Sequence, residues 1–327
     1  MSDEACRVLV TGGTGMVGSH LVRLLSSDGV PRQLILTNRG VPPSDLQASA
    51  QVQHWTMDLT DRIVLPTHVH TVIHIAGEKR DGNRMWAVNH LGTERLVEAA
   101  ARGGVRRFVY LSSVGVYGAP KHAGIVDASH ARTPNNAYEA SKNAGELAVR
   151  QLCARFGMDF VVIQPTNVLG YVPGHVYPLL GLMSTIKSGK FAFFGASEAW
   201  VNYVDVGDVA AAIAAATRSR TNGATYIVNT PATLAEFVGW ISRALDVAVA
   251  DRHIPGWIGA SAGFAGSLYQ RLTGRGAPFN LERYRELTNT TRYEGGALSK
   301  DLGFDYPVGI EAAVVRLVLA YREEGRI

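Results

Sequence analysis

Short apolar runs alternate with amphipathic stretches along the first two thirds of the chain. Seven runs rich in aliphatic and aromatic residues lie at 7–12, 33–38, 51–55, 71–77, 107–113, 160–165 and 224–229. Runs this short and this apolar are typical of strands covered on both faces. Helical periodicity separates them at 16–27, 86–102, 138–156 and 206–217. The alternation predicts an α/β fold with a doubly wound parallel sheet and right-handed crossovers.

Glycine, proline and aromatic residues replace this regular alternation after residue 166. We expect 166–204 and 231–306 to form a smaller C-terminal substrate lobe over the carboxyl edge of the sheet, where open α/β sheets bind ligands. Residues 1–165 form the sheet-bearing domain, and 205–230 return to it. A closing amphipathic helix is expected within 307–327, bracketed by Pro307, Gly309 and Gly325.

Composition narrows the class of protein. The 327 residues are 46% hydrophobic and 18% charged, as in soluble globular proteins. The net charge of +4 is spread along the chain, so no nucleic-acid partner is expected. Cys6 and Cys153 lack the spacing of metal ligands, and no metal site is expected. The N-terminus does not resemble a signal peptide, and no apolar run is long enough for a membrane span. The cytoplasm is the expected location.

The stretch "VLVTGGTGMVGSHLVRLL" (8–25) places four glycines between a predicted strand and a predicted helix. Both GxGxxG and GxxGxxG fit it. Such glycines allow a tight turn, a close approach of the backbone to a pyrophosphate and close packing of the helix on the strand. The helix N-terminus then meets the phosphates. The pattern predicts dinucleotide binding; the alternative is a glycine-rich turn without a ligand.

A second motif, "YEASK", places Tyr138 and Lys142 one helical turn apart. An ammonium beside a phenol lowers the pKa of the phenol, which can then exchange a proton with an alcohol or ketone. Ser112 and Ser113 end a predicted central strand upstream. The alternative is an ordinary Tyr–Lys pair on a solvated helix face.

In these motifs and their order the chain resembles the extended short-chain dehydrogenase/reductases, also described as NAD-dependent epimerase/dehydratases. The matching segments are "TGGTGMVGSHLV", "MDLTD" (57–61), "HIAG" (74–77), "NHLGTERLVEAA" (89–100), "LSSVGVYG", "YEASK", "QPTNVLG" (164–170) and "VNYVDVGDVAAAI" (201–213). The resemblance implies a Rossmann-type domain that binds NAD(P), and an enzyme. It also implies a homodimer through the helices at 86–102 and 138–156, with Leu91, Val97, Leu147 and Leu152 as candidates for its apolar stripe.

The resemblance also assigns residues by position. Ser113, Tyr138 and Lys142 take the catalytic positions, Tyr138 as general acid/base, Lys142 also binding the nicotinamide ribose. Asn89 takes a site-supporting position, with a helix N-cap as the alternative. The implied cofactor-binding residues are Gly12, Gly15, Met16, Val17, Gly18, Asn38, Arg39, Asp58, Leu59, Ala76, Gly77, Asn89, Tyr138, Lys142, Pro165 and Asn167.

Two departures from the family pattern bear on cofactor and substrate. The second strand ends in "LTNRG", with Thr37 where NAD-preferring members hold an acid. Arg39 can pair with a 2′-phosphate, which favours NADP(H) over NAD(H); a solvated Arg39 is the alternative. Val201 and Gln164 stand where sugar-nucleotide members usually hold arginines.

These departures, with an aromatic second lobe, favour a less charged small-molecule substrate and the hydroxysteroid dehydrogenase or dihydroflavonol reductase-like branch. Arg271, Arg275 or Arg292 can instead restore an anion contact. The apolar stretch 255–269 is expected to cover the substrate pocket rather than touch a membrane.

The expected activity is therefore hydride transfer between a nicotinamide and a secondary alcohol or ketone. A sugar-nucleotide 4-epimerase or 4-ketoreductase is the alternative, and Val114 after Ser113 argues against a dehydratase. A non-catalytic dinucleotide-sensing protein need not keep Ser113, Tyr138 and Lys142 together.

Overall fold

The computed structural model describes residues 6–39, 52–118, 124–172, 177, 179–195 and 198–327. Strands and helices alternate as the hydrophobic pattern predicts. In the first half they are β1 (Cys6–Thr11), α1 (Met16–Ser27), β2 (Arg32–Asn38), β3 (Val52–Thr56), β4 (Thr71–His74), α2 (Gly82–Trp86), α3 (Thr93–Arg102), β5 (Arg107–Leu111), β6 (Ile125–Val126), α4 (Ala137–Phe156) and β7 (Asp159–Pro165).

The second half mixes short strands with helices. They are β8 (Asn167–Leu169), α5 (Leu179–Lys187), β9 (Phe193–Phe194), β10 (Trp200–Asp205), α6 (Val206–Arg218), β11 (Ala224–Val228), β12 (Thr230–Thr233), α7 (Leu234–Leu245), β13 (His253–Ile254), α8 (Gly256–Thr273), α9 (Leu281–Leu287), β14 (Arg292–Tyr293), α10 (Gly296–Leu302) and α11 (Ile310–Glu323).

Seven strands form one parallel sheet in the order β11-β7-β5-β4-β1-β2-β3. The chain runs from β1 to β3 in one direction and from β4 to β11 in the other, so the order reverses between β1 and β4. Apolar residues fill both faces: α1 and α6 cover one core, and α3 and α4 cover the other. The prediction of a doubly wound, Rossmann-type α/β fold is confirmed.

A third core lies among α5, α7 and α11. The three-stranded sheet β12-β10-β8 contributes Leu169, Val201 and Ala232 to it. Leu298 and Phe304 fall within the range expected for the smaller lobe, yet they pack in the first core beside α6. The lobe boundaries themselves remain a prediction.

Two buried carboxylates join the returning helix α6 to the start of α11. Asp208 accepts hydrogen bonds from the backbone N–H groups of Val308 and Gly309 at 2.8 and 2.9 Å. Asp205 pairs with Arg316 at 2.6 Å. Burial raises the pKa of Asp208, the two backbone donors opposing this effect. The first and third cores are therefore tied together.

One helical expectation needs correction. The helix expected at 86–102 begins at Gly82, because the Asp81 side chain accepts a hydrogen bond from Asn83 N and caps α2. A π-helical turn, Ala87–Gly92, joins α2 to α3.

Within the described ranges, none of the helices has both the length and the hydropathy that crossing a membrane requires.

Candidate active site

A cleft of about 540 Å³ opens over the carboxyl ends of β1 to β5, where the strand order reverses. Open α/β sheets bind their ligands at such a point. Most of the residues assigned from the sequence line it together. They are Gly12, Gly15, Met16, Val17, Asn38, Arg39, Asp58, Leu59, Ala76, Gly77, Tyr138 and Lys142. Gly18, Asn89, Ser113, Pro165 and Asn167 are not among the lining residues.

The glycine turn is shaped by close backbone contacts. Gly12 has a φ of +70°, and a Cβ there would lie 2.7 Å from Ala76 N. A Cβ on Gly18 would lie 2.1 Å from Gly12 O, so Gly18 lets α1 pack against the turn instead of lining the cleft. Gly15 is the N-cap residue of α1, and no side chain caps this end. An uncapped helix N-terminus facing a cleft fits a pyrophosphate.

The sequence analysis did not identify two of the cations that line the cleft. Arg84 lines it, with Nη2 at 3.4 Å from Asp58 Oδ2. Lys79 also lines it. The Thr60 backbone hydrogen bond lowers the pKa of Asp58, and the charges of Arg84 and Arg39 lower it further. Lys79 follows the "HIAG" segment in a loop and Arg84 lies on the short helix α2, so neither belongs to a periodic pattern visible in the sequence.

Tyr138 and Lys142 share one face of α4, as their spacing predicts. The Asn136 side chain caps the helix by accepting a hydrogen bond from Glu139 N at 2.9 Å. Lys142 is only 3% exposed. Its Nζ donates to Leu111 O at 2.6 Å and lies 4.3 Å from the Tyr110 ring centroid. The pair therefore meets the glycine turn in one cleft.

The lowered pKa expected for the Tyr138 phenol beside Lys142 is not found. Burial raises the pKa of the Tyr138 hydroxyl, and the Glu139 carboxylate adds to the rise. Burial lowers the pKa of Lys142 from 10.5 to about 7, against the opposing charge of Glu146. The expectation was wrong in direction because removing both groups from water favours their neutral forms.

The two serines differ in their surroundings. Ser113 caps a short 3₁₀ helix, Val114–Tyr117, and its Oγ accepts a hydrogen bond from Gly115 N at 3.1 Å. That bond uses the oxygen and leaves the hydroxyl hydrogen for another acceptor. Ser112 instead donates to Glu146 Oε2 at 2.7 Å, which ties the end of β5 to α4.

Glu146 is a fully buried carboxylate beneath these serines. Burial opposes its ionisation, but the hydrogen bond and charge of Arg132, with bonds from Ser112 and Gln164, lower its pKa overall. Arg150 lies 3.1 Å away on the same helix. This charged network holds the end of β5 against α4.

The substrate argument drawn from Gln164 and Val201 needs correction. Gln164 is fully buried between Glu146 and Tyr117, and Val201 packs in the third core. Both side chains are buried and neither lines the cleft, so their identities do not bear on an anion bound there. Arg292 lies 5.2 Å from the Trp200 ring centroid, so a guanidinium does stand beside this strand.

Asn89 is a positioning residue. Its Oδ1 accepts from Glu78 N, and its Nδ2 donates to Glu78 O and to Ser141 Oγ, at 2.7, 2.7 and 2.9 Å. It lies inside the π-helical turn, so the N-cap alternative is wrong. The π turn directs this amide at the loop after β4 and fixes the edge of the cleft.

Comparisons with known proteins find similar sequences and a similar fold. A curated relative, N-acetyl-alpha-D-glucosaminyl-diphospho-ditrans,octacis-undecaprenol 4-epimerase of Escherichia coli O157:H7, is 25% identical over 88% of this chain and 87% of its own. Sterol demethylase protein B of Methylococcus capsulatus is 26% identical over 98% of this chain and 99% of its own. The crystal structure of gox2253 has a TM-score of 0.76 at 24% identity, covering 98% of this chain and 99% of that one.

The sequence profile of one family matches residues 8–229, which hold the glycine turn, both serines, Tyr138 and Lys142. This span is more than half of the chain. The protein belongs to the NAD-dependent epimerase/dehydratase family, a family of extended short-chain dehydrogenase/reductase enzymes.

Proposed function

We propose that this protein is an NADP(H)-dependent oxidoreductase that interconverts a secondary alcohol and its ketone. The observation that carries the proposal is the meeting of Tyr138 and Lys142 with the glycine turn in one cleft. Nicotinamide, when the dinucleotide is bound, supplies or accepts the hydride at C4.

The chain's own residues handle the proton and the oxygen. The Tyr138 hydroxyl gives its proton to the substrate oxygen in reduction and takes it back in oxidation. The Ser113 hydroxyl donates to the same oxygen as charge develops there. Lys142 binds the nicotinamide ribose beside Tyr138, and Asn89 fixes the loop at Glu78.

The preference for NADP(H) is supported by charge at the end of β2. Thr37 and Asn38 place no carboxylate there, while Arg39 lines the cleft. Lys79 and Arg84 add two further cations to the lining. Such a set suits a 2′-phosphate. Residues 40–51, which follow Arg39, lie outside the described part of the chain.

For the substrate we propose a small molecule without a diphosphate, as in the hydroxysteroid dehydrogenase and dihydroflavonol reductase-like branch. The match to sterol demethylase protein B over nearly the full length of both chains supports this. The homodimer, and a cytoplasmic location suited to the unpaired Cys6 and Cys153, belong to the same proposal.

A sugar-nucleotide 4-epimerase or 4-ketoreductase is the second candidate. Arg292 beside Trp200 favours it, because this guanidinium can hold a diphosphate. The similarity to a 4-epimerase whose named substrate carries a diphosphate also favours it.

One substrate panel separates the two candidates. Ring ketones, aromatic alcohols and UDP-, GDP- and dTDP-sugars are each assayed with NADPH, NADP⁺, NADH and NAD⁺. We expect turnover of a non-nucleotide ketone that Arg292→Ala leaves largely unchanged. Efficient turnover of a sugar nucleotide that Arg292→Ala abolishes, with the other compounds silent, contradicts the proposal and establishes the second candidate.

A further inference from the structure

Helix α8 turns its large apolar side chains towards solvent. Trp257, Phe264 and Leu272 are 72%, 63% and 76% exposed, and Leu268 lies between them at 46%. Their spacing of seven, four and four residues puts them on one face of the helix. We call these four residues the outer face of α8. Large apolar side chains aligned on one exposed face mark an interaction surface.

The opposite face of α8 is built from glycines. A Cβ on Gly259 would lie 2.5 Å from the Phe194 ring, and one on Gly266 would lie 1.9 Å from Phe279 O. Gly263 packs on the start of α9, where a Cβ would lie 3.2 Å from Leu281 Cα. The glycines that interrupt this apolar stretch therefore lie inward, and they let α8 approach its neighbours while the large residues point out. No residue of 255–269 lines the described cleft, and the expectation that this stretch covers a substrate pocket stays a prediction.

The charge around the outer face has one sign. No acidic residue occurs between Asp251 and Glu282, while Arg252, Arg271 and Arg275 fall in this interval. Arg271 and Arg275 are exposed at the C-terminal end of α8. The neighbouring helix α9 carries two acidic and two basic residues, so it does not reverse this balance.

We propose that the outer face of α8 binds the surface of a bilayer that contains anionic lipids. An interfacial helix buries one apolar face at the boundary of headgroups and acyl chains. Tryptophan prefers this depth, and arginine pairs with lipid phosphates. A second copy of this face offers no acidic residue to pair with the arginines, which disfavours a second copy of the chain as the occupant. The proposal does not rest on the proposed activity, because membrane binding is measured without turnover.

Flotation of the full chain with vesicles tests this surface. We expect the protein to float with vesicles of phosphatidylcholine and phosphatidylglycerol and to float less with phosphatidylcholine alone. The variant Trp257→Ser/Phe264→Ser/Leu272→Ser should lose roughly tenfold or more in partition coefficient. Arg271→Glu/Arg275→Glu should lose about fivefold per arginine on the anionic vesicles only.

The matched control is Phe156→Ser/Leu319→Ser, which removes two exposed apolar residues outside the outer face and should float like the unaltered chain. Circular dichroism and NADPH titration establish that each variant is folded. The proposal is overturned if the unaltered chain stays with the unbound protein, or if the triple serine variant floats equally well. A lower mass for that variant in light scattering without vesicles would assign the outer face to a second copy instead.

Discussion

The Tyr138 hydroxyl is the group on which the proposed proton transfer depends. Tyr138→Phe keeps the ring in the cleft and removes only this group. We expect kcat on the identified ketone to fall by roughly 10²–10⁴-fold, the usual contribution of a general acid. The dissociation constant for NADPH should stay nearly unchanged. Tyr171→Phe, which removes a hydroxyl bonded to Glu324 away from the cleft, is the control. A kcat near that of the unaltered enzyme would exclude Tyr138 from the mechanism.

Arg39 is the residue that should distinguish the two cofactors. Arg39→Ala is expected to weaken NADPH binding by about 1–3 kcal/mol, the range for a lost hydrogen bond to a charged group. Binding of NADH should not change, because it lacks the 2′-phosphate. Arg80→Ala removes an exposed arginine of the loop after β4 that does not line the cleft, and should affect neither cofactor. Fluorescence titration measures the six dissociation constants, for the unaltered chain and both variants with each cofactor. Equal affinities that Arg39→Ala leaves equal would contradict the preference.

Buried Lys142 gives stability a particular pH dependence. Its pKa is about 7 in the folded chain and has an ordinary value of 10.5. Between these values the unfolded chain binds the extra proton, so this residue makes stability rise with pH across that window. The cost of burying the ammonium is fully present below pH 7 and disappears as the pH passes the unfolded value.

Replacing this lysine removes the titration. We expect Lys142→Met to raise Tm relative to the unaltered chain most at or below neutral pH, and less as the pH approaches 10. Lys187→Met, on the exposed surface of α5, provides the control. Thermal unfolding at several pH values checks the trend, and a difference in Tm that is constant with pH would show that Lys142 does not titrate in this range.

At the scale of elements, helix α1 packs against the glycine turn too closely to accommodate an added methyl group. A Cβ at position 18 would overlap the backbone oxygen of Gly12. We expect Gly18→Ala to lower the free energy of unfolding by about 1–3 kcal/mol, as overpacking does, and to weaken cofactor binding by displacing the N-terminus of α1. Gly82→Ala adds the same methyl group where no atom lies within 4 Å. Chemical denaturation of both variants compares the two sites, and equal stabilities would show that the turn can relax.

Strands and helices were predictable where local pattern determines them. The seven strands of the main sheet, α1, α4 and α6 follow from apolar runs and helical periodicity. The π-helical turn at Ala87–Gly92 was not predictable, because an extra residue in a turn leaves no trace in a hydrophobic pattern. The cap at Asp81 was missed because the apolar pattern begins only after it.

The residues of the candidate site likewise fall into those that local sequence predicts and those that only the fold brings together. The glycine turn and the Tyr138–Lys142 pair are local in sequence, so spacing alone identified them. Arg84 reaches Asp58 across 26 positions of the chain. Asn89 reaches Ser141 across 52. Whether Gln164 faces a ligand or the core depends on packing around Glu146, which no motif encodes. Contacts between distant segments require the fold.

For the whole molecule, the proposed homodimer can be tested on two exposed leucines. Leu91 and Leu147 are 37% and 39% exposed on the helical run 82–102 and on α4. Val97 and Leu152, also candidates for the stripe, instead face the core beneath these helices. We expect a dimeric mass by light scattering at micromolar concentration and a monomeric mass for Leu91→Arg/Leu147→Arg. Leu319→Arg is the exposed control on α11. A monomeric mass for the unaltered chain would contradict the homodimer.

The carboxylate of Asp208 couples the unfolding of α11 to that of α6 and of α1, which packs with α6. Helix α1, which carries the glycine turn, packs with α6 in the first core. Asp208 on α6 accepts hydrogen bonds from the backbone amides of Val308 and Gly309, which directly precede α11. Apolar residues of α11 pack in the third core. Fraying of the C-terminal helix therefore exposes a buried carboxylate on α6, and loss of α6 removes the support of α11. The protein should unfold as one cooperative unit, so that a ligand held near residue 12 slows hydrogen exchange near residue 310.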